Sequence, residues 1–321
     1  MRTRPHLAAI GTRFSPAPEA DFADTLLAGL RAEPKRIACK YFYDAEGSRL
    51  FEKICALPEY YPTRIELALL NAHASEMAAL MGPNAEIVEF GAGAAEKIRP
   101  LLRAANEPHA YVPIDISGPY LHAIAERLRC DFPALTIRPI VADFTRELAI
   151  PASAARRVGF FPGSTIGNFE PEEARTFLAT AARLLRGGGL LIGVDLVKDP
   201  AVLHAAYNDA AGITAAFNKN LLARANREAD ANFDLSAFSH YAFYNPQAQR
   251  IEMYLTSRWA QRILICGRAI GFAEGEAIHT ENSNKYTVDG FRALASSAGF
   301  TPRAVWCDAD RLFSIHWLEA G

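Results

Sequence analysis

The stretch that decides the fold is EIVEFGAGAAEK, residues 86–97. Its first half is a short apolar run, which predicts a buried β-strand. Gly91 and Gly93 follow at once, and residues 97–105 have the composition of a helix. A strand, a glycine turn and a helix in this order form a nucleotide-sized pocket at the carboxyl end of the first strand of an open α/β sheet.

The residues around this turn favour one class of ligand over another. A dinucleotide site needs a third glycine, for close approach to a pyrophosphate, where this chain has Glu96. An acid at that position repels phosphate, whereas Glu89 at the strand end suits a cationic amine. S-adenosyl-L-methionine has an amine and no phosphate, and Lys97 is placed to meet its carboxylate. The turn therefore favours this cofactor, with a nicotinamide oxidoreductase as the alternative.

Further strands are predicted downstream of the turn. They cover residues 110–117, 135–142, 158–161 and 190–197, with helices predicted between them at 118–130 and 171–185. This alternation predicts an α/β fold with a doubly wound, mostly parallel, Rossmann-like sheet. Right-handed crossovers place all the strand-end loops on one edge of such a sheet.

Polar residues stand at several of these strand ends. Asp115 ends the second predicted strand, where a carboxylate accepts hydrogen bonds from ribose hydroxyls. Asp143 and Phe144 end the third, offering a carboxylate to an adenine amino group and an aromatic face to the ring. Asn168 follows the fourth strand. We expect these side chains to lie near Gly91, on the same edge of the sheet.

The rest of the chain does not continue the parallel pattern. Helical character is predicted at 21–31, 50–56, 64–81, 201–230 and 286–298, with Thr63 as the cap of the third helix. Strands are predicted at 250–255, 261–266, 303–307 and 312–317. Residues 280–286 are predicted to form a polar loop. We interpret residues 64–198 and 286–321 as the cofactor-binding core. Residues 19–63 and 199–285 are interpreted as a smaller α+β cap domain that binds the substrate, and residues 1–18 as a disordered lead-in.

Composition and charge limit the classes of partner. The chain has 321 residues, 50% of them hydrophobic, and a formal net charge of −2. Without a basic surplus or a membrane-length apolar run, neither nucleic acid nor a membrane is an expected partner. The five cysteines are scattered and the histidines lack ligand spacing. We therefore expect a monomeric, cytoplasmic protein without a metal site.

Several longer sequence blocks carry a resemblance to a known family. They are FYDAEGS at 42–48, LPEYYPTR at 57–64, GSTIGN at 163–168, GVDLVKD at 193–199, AYNDAAG at 206–212 and TENSNKY at 280–286. In this order they resemble the histidine Nα-methyltransferase family of ergothioneine biosynthesis, over residues 20 to 318. The resemblance implies trimethylation of the α-amine of L-histidine to hercynine. S-adenosyl-L-methionine is the methyl donor and S-adenosyl-L-homocysteine the product.

The resemblance also implies a set of site residues. Cofactor contacts fall on Gly91, Lys97, Asp115, Asp143 and Phe144, and amino-acid contacts on Tyr60, Asn168, Tyr207, Glu281 and Ser283, with Tyr43 and Met253 nearby. Our hypothesis is that Asn168 and Tyr207 hold the substrate carboxylate. Glu281 and Ser283 then bond the two imidazole nitrogens, and Tyr60 and Tyr43 stand near the reacting amine, with Tyr60, Tyr43 and Asn168 as the candidate catalytic residues.

Some positions depart from the family pattern. Ala92 and Ala94 replace frequent serines, Asn282 and Asn284 replace small or apolar residues, and Tyr286 replaces a frequent Phe. These changes leave two further readings open: a methyltransferase for another amino acid or a histidine derivative, and a non-catalytic S-adenosylmethionine-binding protein. The general base is unassigned, with water or a tyrosine-linked path as the options.

Overall fold

A computed structural model describes residues 22–146 and 148–321. The expected lead-in at residues 1–18 lies outside the described residues. The helices are α1 Phe22–Arg31, α2 Ala45–Cys55, α3 Tyr61–Met81, α4 Arg99–Ala104, α5 Gly118–Asp131, α6 Pro171–Leu184, α7 Pro200–Tyr207, α8 Ile213–Glu228 and α9 Val288–Ser297. The strands are β1 Lys35–Arg36, β2 Glu86–Phe90, β3 Ala110–Asp115, β4 Ile140–Val141, β5 Arg157–Phe161, β6 Gly189–Asp195, β7 Phe238–Asn245, β8 Arg250–Ser257, β9 Gln261–Ile265, β10 Arg268–Phe272, β11 Ala277–Asn284, β12 Phe300–Cys307 and β13 Phe313–Ala320.

A seven-stranded sheet forms the larger part of the molecule. Its strand order is β12-β13-β6-β5-β2-β3-β4. The five strands from β2 to β6 run parallel, β13 is antiparallel to its neighbour β6, and β12 is antiparallel to β13. Separate hydrophobic clusters cover the two faces, one with side chains of α3, α4 and α5 and the other with those of α6 and α9. The predicted doubly wound, mostly parallel α/β sheet is confirmed.

Strand β2 and its turn form as the sequence predicts. Ile87 packs into one hydrophobic cluster and Val88 into the other, because successive side chains of a strand point to opposite faces. The strand ends at Gly91, whose φ of +72° favours glycine. A Cβ added there would stand 3.3 Å from Phe144 Cε1. The following helix, α4, begins at Arg99, two residues later than predicted.

A second, smaller α+β unit contains the remaining strands. A four-stranded sheet has the order β1-β11-β8-β7, and β9 pairs with β10 in a separate hairpin. The buried residues of its hydrophobic cluster all come from residues 23–61 and 203–278, and none of them belongs to the clusters of the large sheet. This separation supports our division into core and cap, which we keep as a proposal with its boundaries at 63/64, 198/199 and 285/286.

The predicted polar loop at 280–286 is wrong. Residues Ala277–Asn284 form strand β11, which pairs antiparallel with β8 and, at its start, parallel with β1. All six residues from Thr280 to Lys285 are buried, although none is apolar. The polar side chains of five of them, all but Glu281, are satisfied by partners elsewhere in the fold, which a local hydrophobicity pattern does not register.

Two predicted helix starts are also wrong. Helix α3 begins at Tyr61, so Thr63 lies within its first turn and is not its cap; Pro62, with its fixed φ, stands at the start instead. Helix α2 begins at Ala45 and not at residue 50. The Asp44 carboxylate accepts a hydrogen bond from the Gly47 N–H at 2.6 Å, which caps the earlier start.

The remaining differences concern short strands. The predicted third strand at 135–142 is reduced to β4, with one isolated bridge between Tyr111 and Ile137. Strands β1, β7 and β10 were not predicted. In the described ranges, no helix is long and apolar enough to cross a membrane.

Candidate active site

A cavity of about 580 Å³ lies between the carboxyl ends of the parallel strands and the smaller unit. Every site residue predicted from the sequence lines it: Tyr43, Tyr60, Gly91, Lys97, Asp115, Asp143, Phe144, Asn168, Tyr207, Met253, Glu281 and Ser283. Residues far apart in the chain are thus brought to one cavity.

On the side of the large sheet, Asp115 is the last residue of β3. Strand β3 lies beside β2, which ends at the glycine turn. Oδ1 of Asp115 accepts a hydrogen bond from the Ser117 N–H at 2.8 Å, which fixes the carboxyl group. Burial raises the pKa of Asp115 to about 6. Since a carboxylate has about four acceptor positions, the group keeps capacity for a ligand's hydroxyls.

Lys97 is held by a residue that the sequence analysis missed. Its Nζ lies 2.7 Å from Oε2 of Glu66, a fully buried residue of α3. Both oxygens of Glu66 are also 2.9 Å from the Gly163 backbone nitrogen, which donates to them. Glu66 therefore fixes both the Lys97 ammonium and the loop that leads to Asn168. The sequence offered one signal for Glu66: it is an acidic residue on the apolar face of a predicted helix.

At the far end of the cavity, Asp143 is held from two sides. Oδ2 lies 3.0 Å from Nζ of Lys40, and Oδ1 accepts from the Thr145 N–H at 3.0 Å and from its hydroxyl. Burial opposes ionisation, but the hydrogen bonds from Thr145 and Lys40 prevail and lower the pKa of Asp143. The Phe144 ring packs edge-on against Phe161 at 5.6 Å. Lys40, which reaches over from the smaller unit, was not predicted.

On the cap side, Glu281 and Ser283 stand on the same face of β11, because alternate residues of a strand share a face. Met253 pairs directly with Glu281 on the neighbouring strand β8. Burial raises the pKa of Glu281 to about 7, and the charge of Lys285 only partly offsets this. The cavity therefore contains a carboxyl group that changes charge near neutral pH.

The two asparagines that depart from the family pattern do not line the cavity. Asn284 Nδ2 donates to the carbonyls of Gly167 and Phe169, both at 2.8 Å, and so fixes the segment that carries Asn168. Asn282 Nδ2 donates to Oε1 of Glu170 at 2.6 Å. Both residues thus connect β11 to the core.

Aromatic side chains from the hydrophobic cluster of the smaller unit also line the cavity. Tyr60 lies edge-on to Tyr207 with ring centroids 6.5 Å apart, and Tyr43 packs edge-on against Phe51 and Phe217. Burial raises the pKa of both Tyr43 and Tyr60 well above the ordinary value of a phenol. Both hydroxyls are therefore protonated at neutral pH.

A buried ionic network lies behind Tyr207 and Ser283. Lys285 Nζ is 2.7 Å from Asp195 Oδ2, and Asp195 also pairs with Lys198 and accepts from the Tyr61 hydroxyl at 2.8 Å. The sequence analysis assigned no role to these four residues. All four lie in the blocks LPEYYPTR, GVDLVKD and TENSNKY, and this position was the signal that could have found them.

The comparison with known families decides the identity. A family model described as "Histidine-specific methyltransferase, SAM-dependent" matches residues 22–320. The chain belongs to this family. As a family member it is an S-adenosylmethionine-dependent methyltransferase, so the resemblance inferred from the sequence is confirmed and the nicotinamide alternative is excluded.

Individual relatives agree with this family assignment. A histidine N-alpha-methyltransferase of Mycolicibacterium smegmatis is 42% identical, over 88% of this chain and 89% of that protein. One of Mycobacterium tuberculosis is 39% identical, over 87% of this chain and 89% of that protein. The ergothioneine biosynthesis protein 1 of Neurospora crassa is 31% identical over 89% of this chain, which corresponds to 33% of that longer protein.

The residues of the methyltransferase site fit S-adenosylmethionine. A glycine turn without side chains, a cation at Lys97 and a carboxyl group at Asp115 lie along one cavity, with a further carboxylate at Asp143. This donor and acceptor set matches an amino-acid carboxylate, a ribose and an adenine amino group. Among the described residues, no cluster of His, Cys, Asp or Glu is arranged to hold a metal ion.

The raised pKa of Glu281 leads to a prediction about stability. A carboxyl group with a higher pKa in the folded state binds more protons when folded, so its contribution to the free energy of unfolding falls as pH rises. The window runs from the ordinary value of 4.5 to about 7. We expect wild-type protein to lose stability relative to Glu281→Gln between pH 5 and pH 8.

Urea unfolding of both proteins across this range measures the effect. The difference between the two variants removes the contributions of other titrating groups, such as His316, whose pKa burial lowers to about 3. A difference in unfolding free energy that stays constant with pH, or that changes in the opposite direction, would contradict the raised pKa of Glu281.

Proposed function

We propose that this methyltransferase transfers three methyl groups in succession to the α-amine of L-histidine, forming hercynine, the first step of ergothioneine biosynthesis. One observation carries the proposal. Glu281 and Ser283 stand side by side on β11 and line the same cavity as the glycine turn at Gly91. A ring-binding pair and a cofactor-binding turn thus share one enclosed space.

Residues of the cap, together with Asn168 of the core, account for the choice of substrate. Asn168 and Tyr207 bind the substrate carboxylate, while Glu281 and Ser283 bond the two imidazole nitrogens. A buried site built to hydrogen-bond both nitrogens rejects side chains that leave its polar groups unpaired, by up to several orders of magnitude. Met253, paired with Glu281 across the sheet, supplies an apolar contact beside the ring.

The core residues hold the cofactor. Lys97 binds its carboxylate, Asp115 its ribose hydroxyls, and Asp143 and Phe144 its adenine, while Gly91 leaves space for close approach. When bound, S-adenosylmethionine supplies an electrophilic methyl group and leaves as S-adenosylhomocysteine. The ion pair between Lys40 and Asp143 connects the adenine end of this site to the cap.

Positioning of the substrate amine supplies most of the rate, since methyl transfer needs no covalent enzyme intermediate. Tyr60 and Tyr43 stand near the amine in our proposal, with Asn168 on the other side. Because both phenols stay protonated, they act as hydrogen-bonding and aromatic partners and not as phenolate bases. Aromatic faces attract a methylated ammonium by about 0.5–2 kcal/mol, which allows one pocket to accept successive products.

The positions of Asn282 and Asn284, which depart from the family pattern, favour histidine over another amino acid as the substrate. Asn282 bonds Glu170 and Asn284 bonds the segment beside Asn168, so both point away from the ring-binding pair. The side chains that face the cavity, Glu281 and Ser283, are those the family pattern requires.

Mass spectrometry of the purified protein with S-adenosylmethionine and a panel of the standard amino acids tests the proposal. We expect products of L-histidine with one, two and three added methyl groups. No other amino acid should be methylated at a comparable rate. Faster methylation of another amino acid would refute the assignment of histidine. Cofactor binding without transfer to any of them would favour a non-catalytic binding protein.

Replacing Asp115 with asparagine tests the cofactor site. Loss of a charged acceptor for the ribose hydroxyls is expected to cost about 1.5–3 kcal/mol, or about 10- to 100-fold in Kd for S-adenosylhomocysteine. Titration calorimetry measures this Kd. Asp131→Asn, which alters only an exposed ion pair with Arg99, is the matched control and should bind normally. Equal affinities in the two variants would contradict the role of Asp115.

We also propose that the chain acts as a monomer in the cytoplasm and does not bind nucleic acid. The five cysteines are all free, as expected in a reducing compartment, and the net charge of −2 offers no general attraction to nucleic acid. Light scattering during size-exclusion chromatography would give the mass of a single chain if this proposal holds.

A further inference from the structure

Two buried lysines and one buried carboxylate lie behind Tyr207 and Ser283. The side chains of Lys285, Lys198 and Asp195 are 0%, 4% and 2% exposed. With both lysines protonated and Asp195 ionised, these three groups carry one net positive charge, which Asp308 near Lys198 and Glu281 near Lys285 offset in part. Burial of an unbalanced charge is costly unless a further anion is paired with it. Lys285 therefore favours an anionic ligand group on the cavity side of Tyr207 and Ser283, to which it donates.

Asp195 lines the cavity, and Lys285 is connected to the cavity through hydrogen bonds to the lining residues Tyr207 and Ser283. Nζ of Lys285 lies 2.7 Å from Asp195 Oδ2, 2.7 Å from Ser283 Oγ and 3.2 Å from the Tyr207 hydroxyl. An ammonium group has three N–H donors and no acceptor, so these three contacts use all of them. Lys285 thus donates to both hydroxyls and accepts from neither.

The protons of the two hydroxyls can then be counted. Tyr207 and Ser283 lie 2.7 Å apart and share one hydrogen bond, which uses one of their two protons. Each oxygen also accepts from Lys285, so one proton and one lone pair remain for a ligand. A carboxylate takes the proton, because a charge-assisted hydrogen bond is stronger than a neutral one.

We propose that Lys285 is a positioning residue that makes Tyr207 a donor to the substrate carboxylate, and that its buried charge restricts the enzyme to amino acids with a free carboxylate. This inference rests on the proposed function and deepens it, since it names the substrate class that the site accepts. Ser283, which then donates to Tyr207, accepts from an imidazole N–H. Amides and decarboxylated amines lack the anion and are poor substrates.

Lys198 provides a matched control within the same cluster. Its Nζ donates to the Tyr61 hydroxyl at 2.6 Å and pairs with Asp195, but the structure gives it no contact with Tyr207 or Ser283. Lys198→Met therefore removes a buried positive charge without removing the donor to the carboxylate-binding hydroxyl. Lys285→Met removes both.

The experiment compares L-histidine with L-histidinamide in wild type, Lys285→Met and Lys198→Met. We expect Lys285→Met to lose at least about tenfold in kcat/KM for L-histidine, the effect of one charge-assisted hydrogen bond, and much less for the amide. The preference for the free acid should collapse mainly through KM. Lys198→Met should keep most of this preference. Titration of L-histidine into each protein with S-adenosylhomocysteine reports the same loss as a Kd, independently of turnover.

Each outcome bears on the inference. An unchanged preference in Lys285→Met, or an equal collapse in both lysine variants, would overturn it. If Lys285→Met does not fold, Lys285→Gln keeps two of the three N–H donors without the charge and should show an intermediate loss. A wild type that neither binds nor methylates L-histidine would overturn the proposed function and this inference with it. Wild-type turnover with an unchanged preference in the variant overturns the inference alone.

Discussion

Replacing Glu281 with alanine is expected to lower kcat/KM for L-histidine by about 100-fold while leaving the affinity for S-adenosylmethionine unchanged within about threefold. The reason is local to the cap. Glu281 is buried on β11 and faces the cavity beside Ser283, so its removal leaves an imidazole nitrogen without its partner in an enclosed site.

Steady-state kinetics and calorimetric titration of the cofactor measure the two quantities separately. Glu276→Ala is the matched control, because Glu276 directly precedes β11 but forms a partly exposed ion pair with Lys35. That pair is worth little by itself, so the control should keep near wild-type turnover. If Glu281→Ala methylated L-histidine as fast as the wild type, Glu281 would not bind the imidazole. If the variant lost cofactor affinity together with kcat/KM, the substitution would have damaged the whole site.

The second large effect is expected on stability. Replacing Asp195 with asparagine should lower the free energy of unfolding by about 3–5 kcal/mol, because it leaves two buried lysines without their shared counter-charge. Asp195 pairs with Lys198 and Lys285 and accepts a hydrogen bond from Tyr61. The strand end of β6, the start of α3 and the end of β11 all meet at this one carboxylate.

Urea unfolding of the wild type and three variants tests whether this network is buried and ionic. The double variant Asp195→Asn/Lys198→Met should be more stable than Asp195→Asn alone, since it buries one uncompensated charge and not two. Glu172→Gln, which changes an exposed pair with Arg175, is the control and should cost little. A loss in Asp195→Asn no larger than in this control would contradict a buried ionic network at that position.

The parts of the fold that the sequence predicts well are those with local signals. Strand β2 is a short apolar run and the turn after it begins with Gly91, so both the strand and the cofactor edge follow from neighbouring residues. The helices α5 and α6 were placed to within one residue for the same reason. Site residues at the strand ends could be predicted to lie close together, because the carboxyl ends of parallel strands lie on one edge of the sheet.

Strand β11 shows why the rest could not be predicted. Most of its buried residues are polar, and Asn282 and Asn284 are satisfied by Glu170 and by the Gly167 carbonyl, both more than 80 positions away. Lys285, which directly follows the strand, pairs with Asp195. A local pattern reads such a segment as an exposed loop. The ionic cluster around Asp195 was not predicted for a related reason. A lysine is ordinarily a surface residue, and only the tertiary structure shows that Lys285 is buried.

The central claim is that one cavity holds the cofactor at the glycine turn and the ring of a free histidine on β11. A crystal structure of the protein with S-adenosylhomocysteine and L-histidine tests it most directly. The account predicts the imidazole between Glu281 and Ser283, the carboxylate at Asn168 and Tyr207, and the amine facing the cofactor sulfur near Tyr60. Histidine bound with its ring away from β11, or its amine turned away from the sulfur, would contradict it.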